Sequence, residues 1–260
     1  MIPGHEGERP TNRPSVPGPN VIGATGGSGT RVIASVVRSA GMFIGTKLNA
    51  YEDAVEFGSF SDRWINTYVG AGQSPPAEVT RSMAADLGEV VASHCSTMPA
   101  DARCWGWKEP RSIYLLPFLD QEFPDLRFLH VVRDGRDMAL STNQQQLMKH
   151  GPAVLERRVS WRRPLRSIAL WNRVNLMAAD YGERALGARY LLVRFEDLCA
   201  DPVRTIGRIY DFFGLDAEAA AAAGEVKPPG GLGRWRERRK GSVEALERQG
   251  QPALGRFGYL

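Results

Sequence analysis

Two short stretches of this chain combine residue types and spacing that suit the grip of a phosphate-like group. The first joins an apolar run, Val21-Ile22-Gly23-Ala24-Thr25, to a helical pattern with Val32, Ile33, Val36 and Val37 on one face and Gly41 as its stop. Between them lies Gly26-Gly27-Ser28-Gly29-Thr30. Glycines let the backbone approach a ligand, and the N–H groups of a helix start supply positive potential. A plain tight turn uses the same composition. The loop lacks the G-K-[ST] of a Walker A segment, and Val32 stands where a dinucleotide fingerprint needs its third glycine.

The second stretch starts at the end of the apolar run Phe128–Val132, where Arg133 leaves the strand and Ser141 follows in the next helix. At ~3.6 residues per turn, Ser141 falls about two turns in. Arg133 can clamp a phosphate bidentately while Ser141 donates to the same group; the other reading pairs Arg133 with Asp134 or Asp137. Ligands of parallel sheets collect at the carboxyl ends of strands, so the loop and the clamp can hold one doubly anionic nucleotide. A third stretch, Lys47–Glu56, is acidic. As a helix it places Glu52 and Glu56 on one face at i, i+4, with Asp53 off that face. A solvated surface face explains three acids at this spacing. His130, in mid-strand, reads as a core histidine, and His94 as a more distant base.

The surrounding elements must position these groups. Helical patterns cover 76–95, Pro110 to Phe123, 134 through Leu147, 167–186 (with Ile168, Trp171, Val174, Met177 and Tyr181 inward) and the segment from Asp201-Pro202 to Gly214. Strand patterns cover Cys104–Lys108 and Tyr190–Arg194. Alternating strands and helices predict an α/β fold: one P-loop-like domain at 20–260, with a central parallel sheet covered by helices on both faces, after a flexible tail at 1–19.

Composition narrows the class. Of 33 basic residues 28 are arginine, and the net charge is +4. This permits an anionic partner without asking for nucleic acid. The arginine cluster 157, 158, 162, 163 and 166 beside Trp161 offers an acidic-acceptor site or a solvated face, and Arg234–Arg239 a closing segment or a basic surface helix. No apolar run is long enough to span a membrane, and the N-terminus lacks a secretion signal. Cys95, Cys104 and Cys199 show no metal or disulfide spacing, which fits reduced thiols in a cytoplasmic protein. No sequence signal fixes an oligomeric state.

The segments TGGSGTR, WGWKEPR, FLHVVRDGRDMALS and VRFEDLCADPVRTIGRIYDFFGL occur in an order that resembles sulfotransferases using 3′-phosphoadenosine 5′-phosphosulfate (PAPS). The chain is similar to a bacterial member related to the tyrosylprotein and carbohydrate branches, over roughly 20–258. The resemblance implies that a sulfuryl group moves by in-line displacement to a hydroxyl of a sugar, glycolipid or secondary metabolite. It leaves adenosine 3′,5′-bisphosphate and needs no metal. It assigns the loop from Gly26 and Gly27 through Ser28, Gly29 and Thr30 to the donor's 5′-phosphosulfate, and Arg133 with Ser141 to its 3′-phosphate. Lys108 matches a lysine that stabilises the sulfuryl group, and Lys227 one that faces the nucleotide. Arg194 organises its strand end through Glu196 and Asp197. The glutamate base of the tyrosylprotein branch, some twenty residues past the loop, matches the region Lys47–Glu56, where Glu52 and Asp53 rank together as the general base. One departure stands out: the family has Lys or Arg where this loop has Gly27, so Arg31, Lys108 or Lys47 must supply the charge. The rival readings are a P-loop nucleoside or metabolite kinase and an arginine-rich nucleic-acid-binding protein.

Overall fold

A computed structural model describes residues 18–155 and 161–260. Five strands form one sheet: β1 (Asn20–Ala24), β2 (Met42–Phe43), β3 (Cys104–Lys108), β4 (Arg127–Val132) and β5 (Tyr190–Arg194). Their order is β2-β3-β1-β4-β5, and every pairing is parallel. The strands are nearly uniformly apolar because helices cover both faces.

Alternation along each strand sorts side chains between two layers. Val21, Trp105, Trp107 and Phe128 point to a core built with α2 (Val55–Gly70), α3 (Ala77–Cys95) and α7 (Arg163–Tyr181). Ile22, Ala24, Leu129, Val131 and Val193 point to the other, built with α1 (Thr30–Ser39), α8 (Phe195–Ala200) and α9 (Pro202–Phe213). Phe57 stacks on Trp107 with ring centroids 3.9 Å apart. Burying such a side chain stabilises by about 1.5–3 kcal/mol. A third cluster joins Val132 and α7 to α5 (Gly135–Ala139) and the C-terminal α11 (Lys240–Arg256). The remaining helices are α4 (Leu116–Glu122), α6 (Gln145–Val154) and α10 (Ala219–Ala223). Among the described residues no helix is long and apolar enough to cross a membrane.

Local signals hold where they are strong. Asp201 caps α9 by accepting from Arg204 N at 3.1 Å, and Gly214 ends it at φ 68°. The helix expected through Leu147 is instead two: α5 stops at Ala139 and α6 starts at Gln145. Ser141 therefore lies past the end of α5, in the connection, rather than two turns into a helix. The hydroxyl of Ser141 accepts from Asn143 N at 3.2 Å, and Gln144 donates to the carbonyls of Met138 and Ser141. These side chains offer the backbone partners outside a helix, which breaks it. Glu52 likewise precedes α2 in a turn, at φ 62°, so it shares no helical face with Glu56.

Candidate functional site

The parallel sheet brings the ends of β1, β3, β4 and β5 to one edge. Ile22 pairs with Lys108, Ala24 with Val131 and Val132 with Arg194. The glycine loop, Lys108, Arg133 and Phe195 thus emerge side by side.

The loop is tightly built. Ser28 is buried and its hydroxyl donates to Thr25 O at 2.7 Å, so the side chain closes the turn. Gly27 and Gly29 sit at φ 85° and 83°, the left-handed region that suits glycine. A Cβ at Gly29 would drive into the ring of Phe195. Thr30 begins α1, whose first turn carries no acid. The unsatisfied N–H groups at this start therefore keep their positive potential. On the loop's other flank the Gln146 amide lies against Gly26, and Gln146 Oε1 accepts from Tyr114 Oη at 3.1 Å.

Arg133 is buried beside this loop. One Nη donates to Gly27 O at 3.4 Å, and the other lies 3.6 Å from Asp137. The guanidinium also rests against the Phe195 ring, 5.6 Å from its centroid. Its Nε and second Nη have no hydrogen-bond partner. Leaving such a group unpaired costs about 1–3 kcal/mol or more, which an incoming anion would recover. The alternative pairing with Asp134 goes to Arg136, which binds that carboxylate at 2.8 Å. Arg136 also bonds Glu247 and Tyr259 O and stacks on Trp235 at 3.7 Å. Asp137 accepts from Gly233 N at 2.6 Å and Trp235 N at 3.2 Å, so the C-terminal segment is fastened beside Arg133. Only Arg234–Glu237 of the basic run is helical, as a short 3-10 turn.

Lys108 and Asp53 meet on the other side. The buried Lys108 Nζ donates to Asp53 Oδ1 and to Tyr51 O, the latter at 2.6 Å. Burial pulls this ammonium below the usual lysine range, against the pull of Asp53. Asn49 sets the turn: its Oδ1 accepts from Tyr51 N and Asp53 N, and its Nδ2 donates to Asp53 Oδ2 at 3.0 Å. Glu52 turns away to Arg38, 3.2 Å distant near the far end of α1. Lys47 pairs with Glu56 at 3.3 Å.

The other expectations divide. His130 is a core residue, bonded to Tyr190 Oη at 2.7 Å and Asn175 Oδ1 at 2.8 Å, and burial lowers it to about 4. His94 Nε2 meets Gly106 O at 2.9 Å, and burial lowers its pKa too. Arg194 approaches Asp197 only to 3.9 Å and lies over the Tyr259 ring, whereas Glu196 accepts from Asp134 N and Tyr259 Oη. Lys227 is exposed, two residues from Glu225, which Ser35 anchors to α1. Arg157 and Arg158 lie outside the described residues. No local pattern marks Tyr51 or Gln146 for the site, and the alternating charges of RDGRD are the single hint at the Arg136 hub.

Residues 45–219 match the family described as "Sulfotransferase family". The chain is 31% identical over 132 residues to carbohydrate sulfotransferase 2 of Mus musculus, and 33% over 110 residues to carbohydrate sulfotransferase 5 of the same species. Each alignment covers 39% of this chain, and only 25% and 28% of those relatives' lengths. Among solved structures, a sulfotransferase from Mycobacterium avium superposes with a TM-score of 0.56 at 14% identity, covering 95% of this chain and 78% of that one. The sulfotransferase domain from the curacin biosynthetic pathway gives 0.54 at 12%, over 94% and 99%. The last two likenesses show the fold.

Proposed function

The chain belongs to the sulfotransferase family, and on that premise we propose that it moves a sulfuryl group from PAPS to the hydroxyl of a small molecule or carbohydrate. The observation that carries this reading is Arg133, a buried guanidinium with two unpartnered nitrogens beside a glycine loop. The residues fit the donor. Arg133 takes the 3′-phosphate, and Ser141, in the connection after α5, is the hydroxyl assigned to the same group. The loop from Gly26 to Thr30 takes the 5′-phosphosulfate through backbone N–H groups, since the Ser28 hydroxyl is spent within the turn. Lys227 is the C-terminal cation assigned to the nucleotide.

The donor supplies an activated sulfuryl group; the protein supplies placement and charge. Lys108 stabilises negative charge that develops on the transferring group. Asp53 accepts the proton of the attacking hydroxyl. Two lone-pair sites of its carboxylate are taken by Lys108 and Asn49, which leaves others open. Glu52 is the weaker base, because its carboxylate is turned to Arg38. A cytoplasmic location is part of the proposal, supported by three cysteines that stand free.

The test is direct. Incubated with PAPS and a panel of hydroxylated sugars and metabolites, the protein should release adenosine 3′,5′-bisphosphate together with a sulfated product detected by mass spectrometry. Turnover of Mg-ATP without any consumption of PAPS would favour a kinase instead.

A further inference from the structure

The turn that carries Asp53 also carries a residue outside every sequence motif. Tyr51 is 60% exposed, so its ring adds little to a core. It touches two cations by different means. Its carbonyl accepts from Lys108 Nζ at 2.6 Å, and its ring faces the Arg31 guanidinium, 5.1 Å from the centroid. Asn49 holds the backbone on both sides of it, and the left-handed Glu52 that follows costs roughly 1–2 kcal/mol. The local hydrogen bonds of Asn49, together with Lys108 on the Tyr51 carbonyl, hold the turn against that strain.

How each neighbouring cation is held separates them. Arg38 pairs with Glu52, Lys47 with Glu56 and Lys108 with Asp53. Each of these charges is largely cancelled by a carboxylate. Among the described residues Arg31 is paired with no carboxylate; its holder is an aromatic face, which attracts a cation without cancelling it. Arg31 is the second residue of α1, directly after the glycine loop. The loop Thr25–Thr30 contains no cation of its own. A positive charge kept beside the positive end of a helix is disfavoured until an anion joins it.

We infer that Tyr51 is a positioning residue that holds Arg31, with its charge uncancelled, for the 5′-side anionic group of the nucleotide bound at the loop. This rests on the proposed donor. Lys108 and Arg31 then approach that group from one turn, the first through the Tyr51 backbone and the second through its ring.

Calorimetric titration of the full chain with adenosine 3′,5′-bisphosphate and with adenosine 3′-monophosphate tests this. Arg31→Ala should weaken the bisphosphate about tenfold, as expected for a charge-assisted contact, and should leave the monophosphate unchanged. Tyr51→Ala should weaken the bisphosphate about threefold and Tyr51→Phe should restore it, because the ring and not the hydroxyl does the holding. The double variant Arg31→Ala/Tyr51→Ala should bind no more weakly than Arg31→Ala alone. Since Tyr51 is exposed, melting temperatures should stay unchanged. Wild-type bisphosphate affinity in Arg31→Ala, or an equal loss for both nucleotides, would overturn the inference, as would Tyr51→Ala binding like wild type. A wild-type protein that binds neither nucleotide removes the donor reading and, with it, this role.

Discussion

The two halves of the site differ in how their polar groups are satisfied. Around the loop between β1 and α1, and at the end of β4, the buried groups left without a hydrogen bond are donors: Arg133 keeps two such nitrogens and α1 has no acid in its first turn. In the turn from Lys47 to Glu56 every acid is paired with a cation, Asp53 with Lys108, Glu52 with Arg38 and Glu56 with Lys47, and the buried atoms without a hydrogen bond are the acceptors Glu52 Oε2 and Glu56 Oε2. In the proposed function the open half receives the anion through donors that lack partners, whereas in the closed half Asp53 takes the proton while already held by Lys108.

The largest effect is expected at Asp53. Asp53→Asn should lower turnover about 10²–10⁴-fold at saturating donor, whereas Glu52→Gln should change it by less than about threefold, as a surface pair does. Steady-state release of adenosine 3′,5′-bisphosphate measures both, and equal losses would erase the distinction between the two acids. Next comes Gly29→Ala, which meets the Phe195 ring and a left-handed backbone together. It should destabilise the fold by about 1–3 kcal/mol, read as a lower urea midpoint, and weaken nucleotide binding.

A smaller effect separates the sheet interior from both halves. His130 is neutral in the folded chain, lowered to about 4 by burial. Between pH 6.5 and 4 the unfolded chain therefore binds the extra proton. Stability is lost as pH falls through that window. From pH 7 to 5 the loss from this residue is about 2 kcal/mol. Urea midpoints at the two values should show a shallower dependence in His130→Gln; an unchanged slope would mean that other groups carry it. The smallest effect is expected at the exposed Arg38–Glu52 pair, where Arg38→Ala should cost less than about 1 kcal/mol.

The legible parts of this molecule are those decided by neighbouring residues. The apolar run, glycines and amphipathic helix of β1, loop and α1 stand in the sequence as they stand in the fold. So do the strand end at Arg133, the cap and stop of α9 and the core place of His130. The parallel sheet follows from strand and helix alternation. The place of Glu52 is not legible, because an acidic i, i+4 spacing looks helical, whereas Asn49 captures the backbone into a turn. The place of Ser141 is not legible either, because Gln144 bonds the carbonyls of Met138 and Ser141 from beyond the helix end. The Arg136 hub joins its neighbour Asp134 to Glu247 and Tyr259, more than a hundred positions away; RDGRD hints at the first contact, and no local pattern announces the other two.

The ligand proposed for the open half is a nucleotide with phosphates at both ends. Thermal melting with and without adenosine 3′,5′-bisphosphate, in wild type and in Arg133→Ala, decides whether that half holds it. The nucleotide should raise the wild-type melting temperature, and Arg133→Ala should lose most of that rise. A wild-type melting temperature that ignores this nucleotide but rises with Mg-ATP would rule it out.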